Sequence, residues 1–275
     1  MSTLTRAEFD ERVDRWRSGT ATEADLADLE PYRARQAVLL ASGLGSRLAP
    51  ITVNTPKPLV DVCGTPIIDT IIKPLVDAGI ESICVVTGYR AEQFELLRRR
   101  WPQVELVYNP LFDSTNNISS AVAAGDRFCN AYVFESDLYI KNPALITPYR
   151  YRSCYLGVPV ASTEDWCFDA DADGRILDLH RGGTDCYHMF GVSYWTAEDG
   201  ARLAEDLPVA FAEEANRQRF WDDVPCVLAR DRYDVHVEPV TFDDIAEIDS
   251  LAELQAMDPR YVVNTPNAEE RQCKD

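Results

Sequence analysis

From residue 36 onward, short apolar runs alternate with amphipathic helical patterns, and this alternation restricts the possible fold more than any other feature of the chain. The apolar runs predict four short buried strands, at 37–41, 82–87, 105–108 and 131–135. Helices are predicted between them, over 66–78, 90–100 and 117–127. Strands separated by helices of about ten or more residues form βαβ units. The expected fold class is therefore α/β, with a doubly wound, mostly parallel sheet.

Beyond residue 142 the pattern becomes rich in strands. Four more strands are predicted around an Asp-Ala-Asp-Gly turn at 171–174, namely 155–161, 166–169, 175–179 and 188–195. The remaining predicted elements are helices near 197–206 and 210–220, a strand near 234–240 and a last helix from Ser250. Successive strands joined by tight turns pair antiparallel, so we expect an antiparallel extension of the main sheet.

Three regions are predicted along the chain: a helical N-terminal extension at 1–35, a main domain at 36–261 and a polar tail at 262–275. In the extension, Thr5 and Glu8 have the spacing of a capping box. Apolar residues are sparse there, so the extension cannot bury a core of its own. We therefore expect it to pack on the main domain.

The chain is strongly acidic, with a formal net charge of −19 and a pI near 4.5. Such a surface repels phosphate backbones, so we expect no nucleic-acid partner, and a polyanionic substrate would need a basic pocket and a divalent cation. No apolar run approaches the ~18 residues of a membrane span, and the first residues lack a signal-peptide pattern. The eight cysteines are scattered without a C-x-x-C pair, which favours free thiols. We expect a cytoplasmic protein with no membrane partner.

A glycine-rich loop follows the first predicted strand and reads Leu40-Ala41-Ser42-Gly43-Leu44-Gly45-Ser46-Arg47. Backbone N–H groups in such a loop can bind phosphates. A dinucleotide-binding loop would need glycine at position 48, where Leu48 stands, and an acidic residue at the end of the second strand, which reads Val86-Thr87-Gly88. A Walker loop would need a Gly-Lys-Ser/Thr sequence, and none stands in register. Both of these phosphate-binding motifs are therefore excluded.

Two cations accompany the loop. Arg47 closes it, and Lys57 follows between two prolines in Thr55-Pro56-Lys57-Pro58-Leu59. The planar guanidinium of Arg47 suits the β- and γ-phosphates of a nucleoside triphosphate, and the compact ammonium of Lys57 suits the reacting α-phosphate. The loop and these cations together predict a nucleotide site.

The motifs, in their order along the chain, resemble those of the sugar-nucleotidyltransferase superfamily and, within it, of bacterial CTP:phosphocholine cytidylyltransferases. The first resemblance rests on residues 40–47 and Thr55-Pro56-Lys57. The narrower one spans about residues 36–258 and rests on Thr87-Gly88-Tyr89, Glu92-Gln93-Phe94, Asn109, Asn116-Asn117-Ile118-Ser119-Ser120, Glu135-Ser136-Asp137-Leu138-Tyr139, Glu164-Asp165-Trp166, Phe220-Trp221-Asp222-Asp223 and Glu247-Ile248-Asp249. One departure is Ser42, where the family usually has alanine; we expect its hydroxyl beside the base. The resemblance implies a Rossmann-like nucleotidyltransferase fold.

This resemblance implies that a phosphate oxygen of a small phosphorylated acceptor attacks the α-phosphorus of CTP and displaces pyrophosphate. It implies Arg47, Lys57 and Asp137 as catalytic residues. It also implies Asp137 and Asp249 as ligands of Mg²⁺, and Asp137 follows a predicted strand at the edge where open α/β sheets bind ligands. The expected nucleotide-binding residues are Ala41, Ser42, Gly43, Gly45, Ser46, Arg47, Lys57, Thr87, Gly88, Tyr89, Asn117, Ser119 and Glu135. The residues alone leave UTP open as the nucleotide.

Trp166 is the most informative residue for the acceptor. A trimethylammonium group cannot donate hydrogen bonds and is recognised by aromatic faces and diffuse negative charge. The expected acceptor-binding residues are Trp166, Tyr194, Asp222 and Glu247, with Tyr187 and Trp195 as further aromatic candidates. They favour phosphocholine as the acceptor. A primary amine such as 2-aminoethylphosphonate, which would bind carboxylates directly, is the alternative.

A function outside catalysis is a second alternative, since the chain could be a nucleotide-binding regulator without activity. The intact set of Arg47, Lys57, Asp137 and Asp249 argues against it. The sequence leaves open whether the protein is a homo-oligomer.

Overall fold

The computed structural model describes residues 4–262 of the chain. Its helices are α1 (Arg6–Arg17), α2 (Glu23–Leu29), α3 (Ile67–Asp77), α4 (Glu95–Arg100), α5 (Ile118–Ala124), α6 (Ala197–Ala212) and α7 (Leu251–Met257). Its strands are β1 (Gln36–Ala41), β2 (Asp61–Val62), β3 (Thr65–Pro66), β4 (Ser82–Thr87), β5 (Val104–Tyr108), β6 (Ala131–Glu135), β7 (Leu138–Ile140), β8 (Cys154–Ala170), β9 (Ile176–Trp195), β10 (His236–Pro239) and β11 (Ile245–Glu247). Apart from Val262, the predicted polar tail lies outside the described residues.

One seven-stranded sheet, in the order β10-β8-β9-β6-β1-β4-β5, forms the centre of the fold. Within it, β6, β1, β4 and β5 run parallel to one another. β9 pairs antiparallel with both β6 and β8, and β10 pairs parallel with β8. The predicted fold class is confirmed, because a mostly parallel, doubly wound sheet is extended by antiparallel strands.

The chain reverses direction across the sheet at β1. From β1 it moves outward to β4 and β5, and it then returns to form β6 on the opposite side of β1. Such a reversal opens a crevice beyond the carboxyl ends of the strands, and open α/β sheets bind ligands there. Ala41 ends β1 and Glu135 ends β6. The glycine-rich loop and the segment that contains Asp137 are therefore neighbours at this crevice.

Helices cover both faces of the sheet. Successive residues of a strand point to opposite faces, so β1 supplies apolar side chains to two separate cores. Val38 and Leu40 pack on the side of α5, together with Ile118. Leu39 packs on the side of α3, together with Ile68. This two-sided burial explains why the strand reads as a continuous apolar run instead of an alternating one.

The region predicted as four short strands forms one long hairpin of β8 and β9. The strands meet at the predicted turn, where Gly174 has φ +81° and its N–H donates to the Asp171 carbonyl at 2.9 Å. The pairing register shifts at several irregularities along the hairpin. Bulges of this kind bend a strand without ending it. Polar residues interrupt the apolar pattern at these points, so the sequence suggested separate strands.

The helix predicted at 210–220 does not form. Instead α6 continues to Ala212, and a single 3-10 turn at Glu214–Asn216 follows. Glu213 between them has an extended backbone, with φ −73° and ψ 119°, which ends the helix. The two helices predicted for this region are thus one longer helix and a turn.

The helix predicted at 90–100 begins later than expected, at Glu95. Arg90 adopts the left-handed conformation with φ 49°, and a 3-10 turn at Ala91–Phe94 comes first. A left-handed residue other than glycine is uncommon, and the sequence gives no signal for one here.

The N-terminal helices pack on the main domain. Both begin with a capping box, at Thr5 for α1 and at Thr22 for α2. Phe9 of α1 is 5% exposed, and its ring centroid lies 5.3 Å from that of Tyr151. Tyr149 belongs to the same apolar cluster. The extension therefore completes its small core with aromatic side chains that the main domain supplies.

None of the helices within residues 4–262 has both the length and the apolar character needed to cross a lipid bilayer. The seven cysteines in this part of the chain are free thiols. Cys273, the remaining cysteine, lies outside the described residues.

We predict that Phe9→Ala lowers the free energy of unfolding by about 3 kcal/mol, the usual cost of removing a buried aromatic ring. Leu26→Ala is the control, because Leu26 is also on the extension but is 40% exposed. Urea unfolding monitored by circular dichroism measures both variants. Equal midpoints for Phe9→Ala and the wild type would show that the extension does not contribute to the stability of the main domain.

Candidate active site

A cleft of ≈ 630 Å³ opens at the carboxyl edge of the sheet. The loop after β1, the turn that contains Lys57 and the segment after β6 form its walls. The cleft is lined by these residues expected from the sequence: Ala41, Ser42, Gly43, Gly45, Ser46, Arg47, Lys57, Asn117, Glu135, Asp137, Trp166, Glu247 and Asp249. Residues expected to bind nucleotide, metal and acceptor thus meet in one cavity.

Two glycines of the loop have different surroundings. Gly45 has φ +62°, and a Cβ there would lie 2.9 Å from Cβ of Lys57. Only glycine lets the loop lie this close over Lys57. A Cβ on Gly43 would have no heavy atom within 4 Å, so the backbone at this position is open to a ligand.

Ser42 anchors the loop from within. Its hydroxyl lies 2.6 Å from the Ser120 hydroxyl of α5, and the residue is 7% exposed. The hydroxyl is thus hydrogen-bonded to α5 while Ser42 lines the cleft, and its position beside the base stays a prediction.

Thr87, Gly88 and Tyr89 lie behind the loop and do not line the cleft. The Tyr89 N–H donates to the Ser42 carbonyl at 3.1 Å, and a Cβ on Gly88 would lie 2.8 Å from the same oxygen. Thr87 is 2% exposed and is paired with Ala41 in the parallel ladder. The expectation that these residues contact the nucleotide is therefore corrected: they support the loop from the neighbouring strand.

Four charged groups meet at the centre of the cleft. Lys57 Nζ donates to Asp137 Oδ2 at 3.1 Å and to Asp249 Oδ1 at 2.7 Å. Arg47 Nη1 lies 2.8 Å from Asp249 Oδ2. The Lys57 side chain is 9% exposed, whereas that of Arg47 is 70% exposed. Lys57 is thus a fixed part of the cleft floor, whereas Arg47 is paired with Asp249 and lies exposed at the cleft mouth.

The protonation of Lys57 follows from these neighbours. Burial alone lowers the pKa of an ammonium, but the adjacent Asp137 and Asp249 carboxylates outweigh it, so the pKa of Lys57 is raised. Lys57 is therefore a permanent positive charge at neutral pH. It is suited to neutralise an anion and not to act as a base.

Three carboxylates form a cluster that could hold a metal ion. One oxygen each of Asp137, Glu247 and Asp249 lie within 4.8 Å of one another. Asp137 Oδ1 is buried and has no hydrogen-bond partner among residues 4–262. A buried acceptor without a partner is costly unless a ligand satisfies it. Glu247 and Asp249 are two positions apart and so project to the same side of their segment, a spacing that the sequence already contained.

A small recess of ≈ 60 Å³ opens from the side of the cleft. Trp166 and Phe220 form its aromatic wall, with their ring centroids 5.5 Å apart at an interplanar angle of 68°. Glu135, Asp222 and Glu247 supply carboxyl groups to the same recess. Aromatic faces and carboxylates are the groups that attract a cation.

The carboxyl groups of the recess share a low-dielectric, acidic environment. Burial raises the pKa of Glu247 to about 8, with the nearby Asp137 and Asp249 charges adding to the effect. Burial likewise raises the pKa of Asp222 to about 7, although the Tyr155 hydroxyl donates to it at 2.7 Å. Burial and the Asp137 charge raise the pKa of Glu135. A bound cation would favour the ionised form of all three.

Asn117 connects the cleft floor to the recess. Its side-chain Nδ2 donates to Glu135 Oε1 at 2.8 Å, and its Oδ1 accepts from the Trp221 N–H at 2.9 Å. Ser119 is buried and accepts from Asn109 Nδ2 at 2.9 Å. The side chains of Asn117 and Ser119 are thus both hydrogen-bonded within the protein. Asn117 orients Glu135 at the cleft wall, while the expectation that Ser119 contacts base or ribose is corrected.

The structure does not bring Tyr194 to the acceptor recess, which corrects that expectation. It is paired with Tyr132 between β9 and β6, is 1% exposed, and its ring centroid lies 5.4 Å from that of Tyr132. Trp195 is fully buried, and Tyr187 packs on the same core. Trp166 packs partly on that core too, but among the expected aromatic residues it is the one that lines the recess.

Comparison with known proteins identifies the family. A profile described as nucleotidyl transferase matches residues 36–147. Over 229 residues the chain is 45% identical to a 2-aminoethylphosphonate cytidylyltransferase of Lancefieldella rimae, and the match covers 82% of this chain and 93% of that protein. The chain belongs to the nucleotidyl transferase family.

Two further similar proteins are both cytidylyltransferases by name. A choline-phosphate cytidylyltransferase of Haemophilus influenzae is 29% identical, over 78% of this chain and 92% of that protein. The solved structure of the CTP:phosphocholine cytidylyltransferase from Streptococcus pneumoniae matches with a TM-score of 0.73 and 29% identity, over 83% of this chain and 99% of that one. This nucleotidyltransferase is therefore an enzyme of the cytidylyltransferase type. By name, the relatives differ in the acceptor they use.

Some residues of this nucleotidyltransferase site were not expected from the sequence. Phe220 lies two positions before Asp222 in one motif, a spacing that could have indicated it. Gly191 lets Glu135 reach the recess, because a Cβ there would lie 2.5 Å from Glu135 Cγ. A glycine inside a strand often marks such a close approach, so this signal was present in the sequence. Asp165 also lines the cleft, and only its position next to Trp166 in the sequence indicates this.

We predict that Gly45→Ala lowers the free energy of unfolding by roughly 1–2 kcal/mol, the cost of a left-handed alanine. The close contact with Lys57 Cβ adds to this cost. Gly43→Ala is the matched control on the same loop, since its Cβ would meet open space. Chemical denaturation of both variants compares them, and an equal loss of stability in both would contradict the proposed packing of the loop.

Proposed function

We propose that this cytidylyltransferase transfers CMP from CTP to 2-aminoethylphosphonate and releases pyrophosphate. The observation that carries the proposal is the acidic recess beside the cleft. Five carboxyl groups line it next to the aromatic pair, and they belong to Glu135, Asp165, Asp222, Asp223 and Glu247. A primary ammonium has three N–H donors, and carboxylates are its strongest acceptors.

The electrostatics of the recess support a primary ammonium. Burial raises the pKa values of Asp222 and Glu247, because it penalises the ionised forms of these carboxyl groups. An ammonium that enters the recess would offset this cost. The relative that is 45% identical carries the 2-aminoethylphosphonate activity in its name.

The proposed chemistry needs no general base. A phosphonate oxygen forms a bond to the α-phosphorus of CTP, the bond from that phosphorus to the bridging oxygen of the β-phosphate breaks, and pyrophosphate leaves with the electron pair. The phosphonate anion is itself nucleophilic, so the protein contributes placement and charge neutralisation. Lys57 supplies a fixed charge at the reacting phosphate, and Arg47 at the cleft mouth suits the leaving pyrophosphate.

We also propose Mg²⁺ as the cofactor, with Asp137 and Asp249 as its protein ligands. The clustered carboxylate oxygens and the buried, unpartnered Asp137 Oδ1 suit a hard cation. One or two carboxylates suffice for Mg²⁺ when substrate phosphates complete its coordination. The bound ion would neutralise charge on the triphosphate. Lys57, through its hydrogen bonds to both aspartates, holds these ligands in place.

Phosphocholine is the second candidate acceptor. The Trp166–Phe220 pair favours it, because an aromatic face attracts a quaternary ammonium without needing hydrogen bonds. Two of the named relatives act on choline phosphate. Of the other rings expected to complete a cage, however, Tyr194 and Trp195 lie in the core, and Tyr187 is partly buried against it outside the recess. A cage with two rings and several carboxyl groups favours the primary amine.

We predict that excess EDTA abolishes pyrophosphate release and that Mg²⁺ restores it. Asp137→Ala should lower turnover by about two orders of magnitude, roughly 3 kcal/mol, because a preorganised charge at the transition state is lost. Asp10→Asn is the control, since this aspartate is exposed on α1 and paired with Arg6. A coupled pyrophosphate assay measures all three conditions. Full activity in EDTA would rule out the metal-dependent mechanism.

We predict that kcat/KM with 2-aminoethylphosphonate exceeds that with phosphocholine in the wild type. Asp222→Asn should raise the KM for 2-aminoethylphosphonate about tenfold, since one charge-assisted hydrogen bond is lost. Trp166→Phe should change that KM much less. Initial rates of pyrophosphate release with 2-aminoethylphosphonate, phosphoethanolamine and phosphocholine provide the measurement.

Asp199→Asn is the control for these variants, because Asp199 is a buried carboxylate bonded to Ser153, outside the recess. It should leave the ranking of acceptors unchanged. If the wild type prefers phosphocholine, or if Trp166→Phe impairs the enzyme more than Asp222→Asn does, the primary-amine assignment is wrong.

A further inference from the structure

Arg181 was not expected as a site residue, and yet it lines the catalytic cleft. It lies on β9 and is paired with Trp166 of β8 across the hairpin. Trp166 lines both the cleft and the recess, so Arg181 stands where the recess opens into the cleft. Both residues line the cleft, although the hairpin itself belongs to the antiparallel extension.

The charges of the cleft set Arg181 apart from the other cations. Within residues 4–262, the basic residues that line the cleft are Arg47, Lys57 and Arg181. The first two form ion pairs with the metal-site aspartates. Arg181 has no ion pair with any residue in the described part of the chain. In a chain with a formal net charge of −19, an unpaired arginine at an acidic cleft is available to a substrate anion.

The acceptor has two charged ends, and the site described so far accounts for one of them. Its ammonium fits the recess, whose carboxyl groups would repel the anionic end. The phosphonate must therefore point out of the recess, past Trp166, toward the α-phosphate. We propose that Arg181 binds the phosphonate oxygens of the acceptor and orients the attacking oxygen, an inference that rests on the proposed function.

The guanidinium suits this task. Its planar donors can bind two oxygens of a phosphonate at once and leave the third directed at the α-phosphorus. A lysine would supply the charge without the paired donors. Arg181 would thus set both the affinity for the anionic end of the acceptor and the direction of attack, while Lys57 and Arg47 serve the nucleotide.

The test compares Arg181→Gln and Arg181→Lys with the control Arg175→Gln. Arg175 lies on the same hairpin near its turn, is outside the cleft and is paired with Asp234 at 3.2 Å, so its loss changes the net charge equally. Arg181→Gln should raise the acceptor KM about tenfold or more, because at least one of the charge-assisted hydrogen bonds from the guanidinium is lost. Arg181→Lys should recover part of this loss. The KM for CTP should stay within about twofold in all variants, and Arg175→Gln should match the wild type.

Inhibition by molecules that carry only one end of the acceptor shows which end Arg181 contacts. Ethylphosphonate carries only the anionic end of the acceptor and ethanolamine only the cationic end. Arg181→Gln should lose inhibition by ethylphosphonate and keep inhibition by ethanolamine. If instead the KM for CTP rises, or inhibition by ethylphosphonate survives unchanged, Arg181 does not bind the phosphonate and the inference is overturned.

The kinetic test uses whichever acceptor the wild type turns over fastest, since every candidate carries a phosphoryl or phosphonyl group. A wild type that prefers phosphocholine would contradict the proposed acceptor. The Arg181 variants, assayed with phosphocholine, would then still test whether Arg181 binds the anionic end of the acceptor. A wild type that prefers 2-aminoethylphosphonate with an unaffected Arg181→Gln would contradict the role of Arg181 alone.

Discussion

The ion pairs of Lys57 connect the parts of the site that the chain supplies separately. Lys57 comes from the turn after the glycine-rich loop, Asp137 from the segment after β6, and Asp249 from the segment after β11. One buried ammonium thus brings three distant segments together, and removing it would leave the two carboxylates facing each other with only the exposed Arg47 beside Asp249 to offset their charge. Gly45 permits this arrangement, because any side chain at that position would press on Lys57.

Electrostatics then divide the cleft into compartments. The glycine-rich loop and the cations suit phosphates, the paired aspartates suit a divalent ion, and the recess suits an ammonium. Opposite charges are separated by the aromatic wall of Trp166, with Arg181 on the outer side. Under the proposed function, this division explains how so acidic a chain would act on CTP and an anionic acceptor, since its acidic groups would hold the metal and the cationic end of the acceptor.

The sequence predicted the α/β class because a strand that is buried on both faces is a continuous apolar run, and each such run can be recognised without knowing its neighbours. It could not predict the continuous hairpin, where bulges preserve pairing through polar residues, or the left-handed Arg90. In the site, motif residues such as Lys57 and Asp249 lie at the cleft. Tyr194 instead packs against Tyr132 in the core, and Ser119 is buried and hydrogen-bonded to Asn109. Sequence patterns indicate which residues are special, but only the register decides which side of a strand they occupy.

The most direct test of the central claim is phosphorus NMR of the enzyme with CTP, Mg²⁺ and 2-aminoethylphosphonate. We predict two mutually coupled resonances, one from a phosphonate and one from a phosphate, which report the new P–O–P linkage. Pyrophosphate should appear in equal amount. Unchanged CTP, or CMP and pyrophosphate without a coupled pair, would contradict the claim that this enzyme joins CMP to the phosphonate.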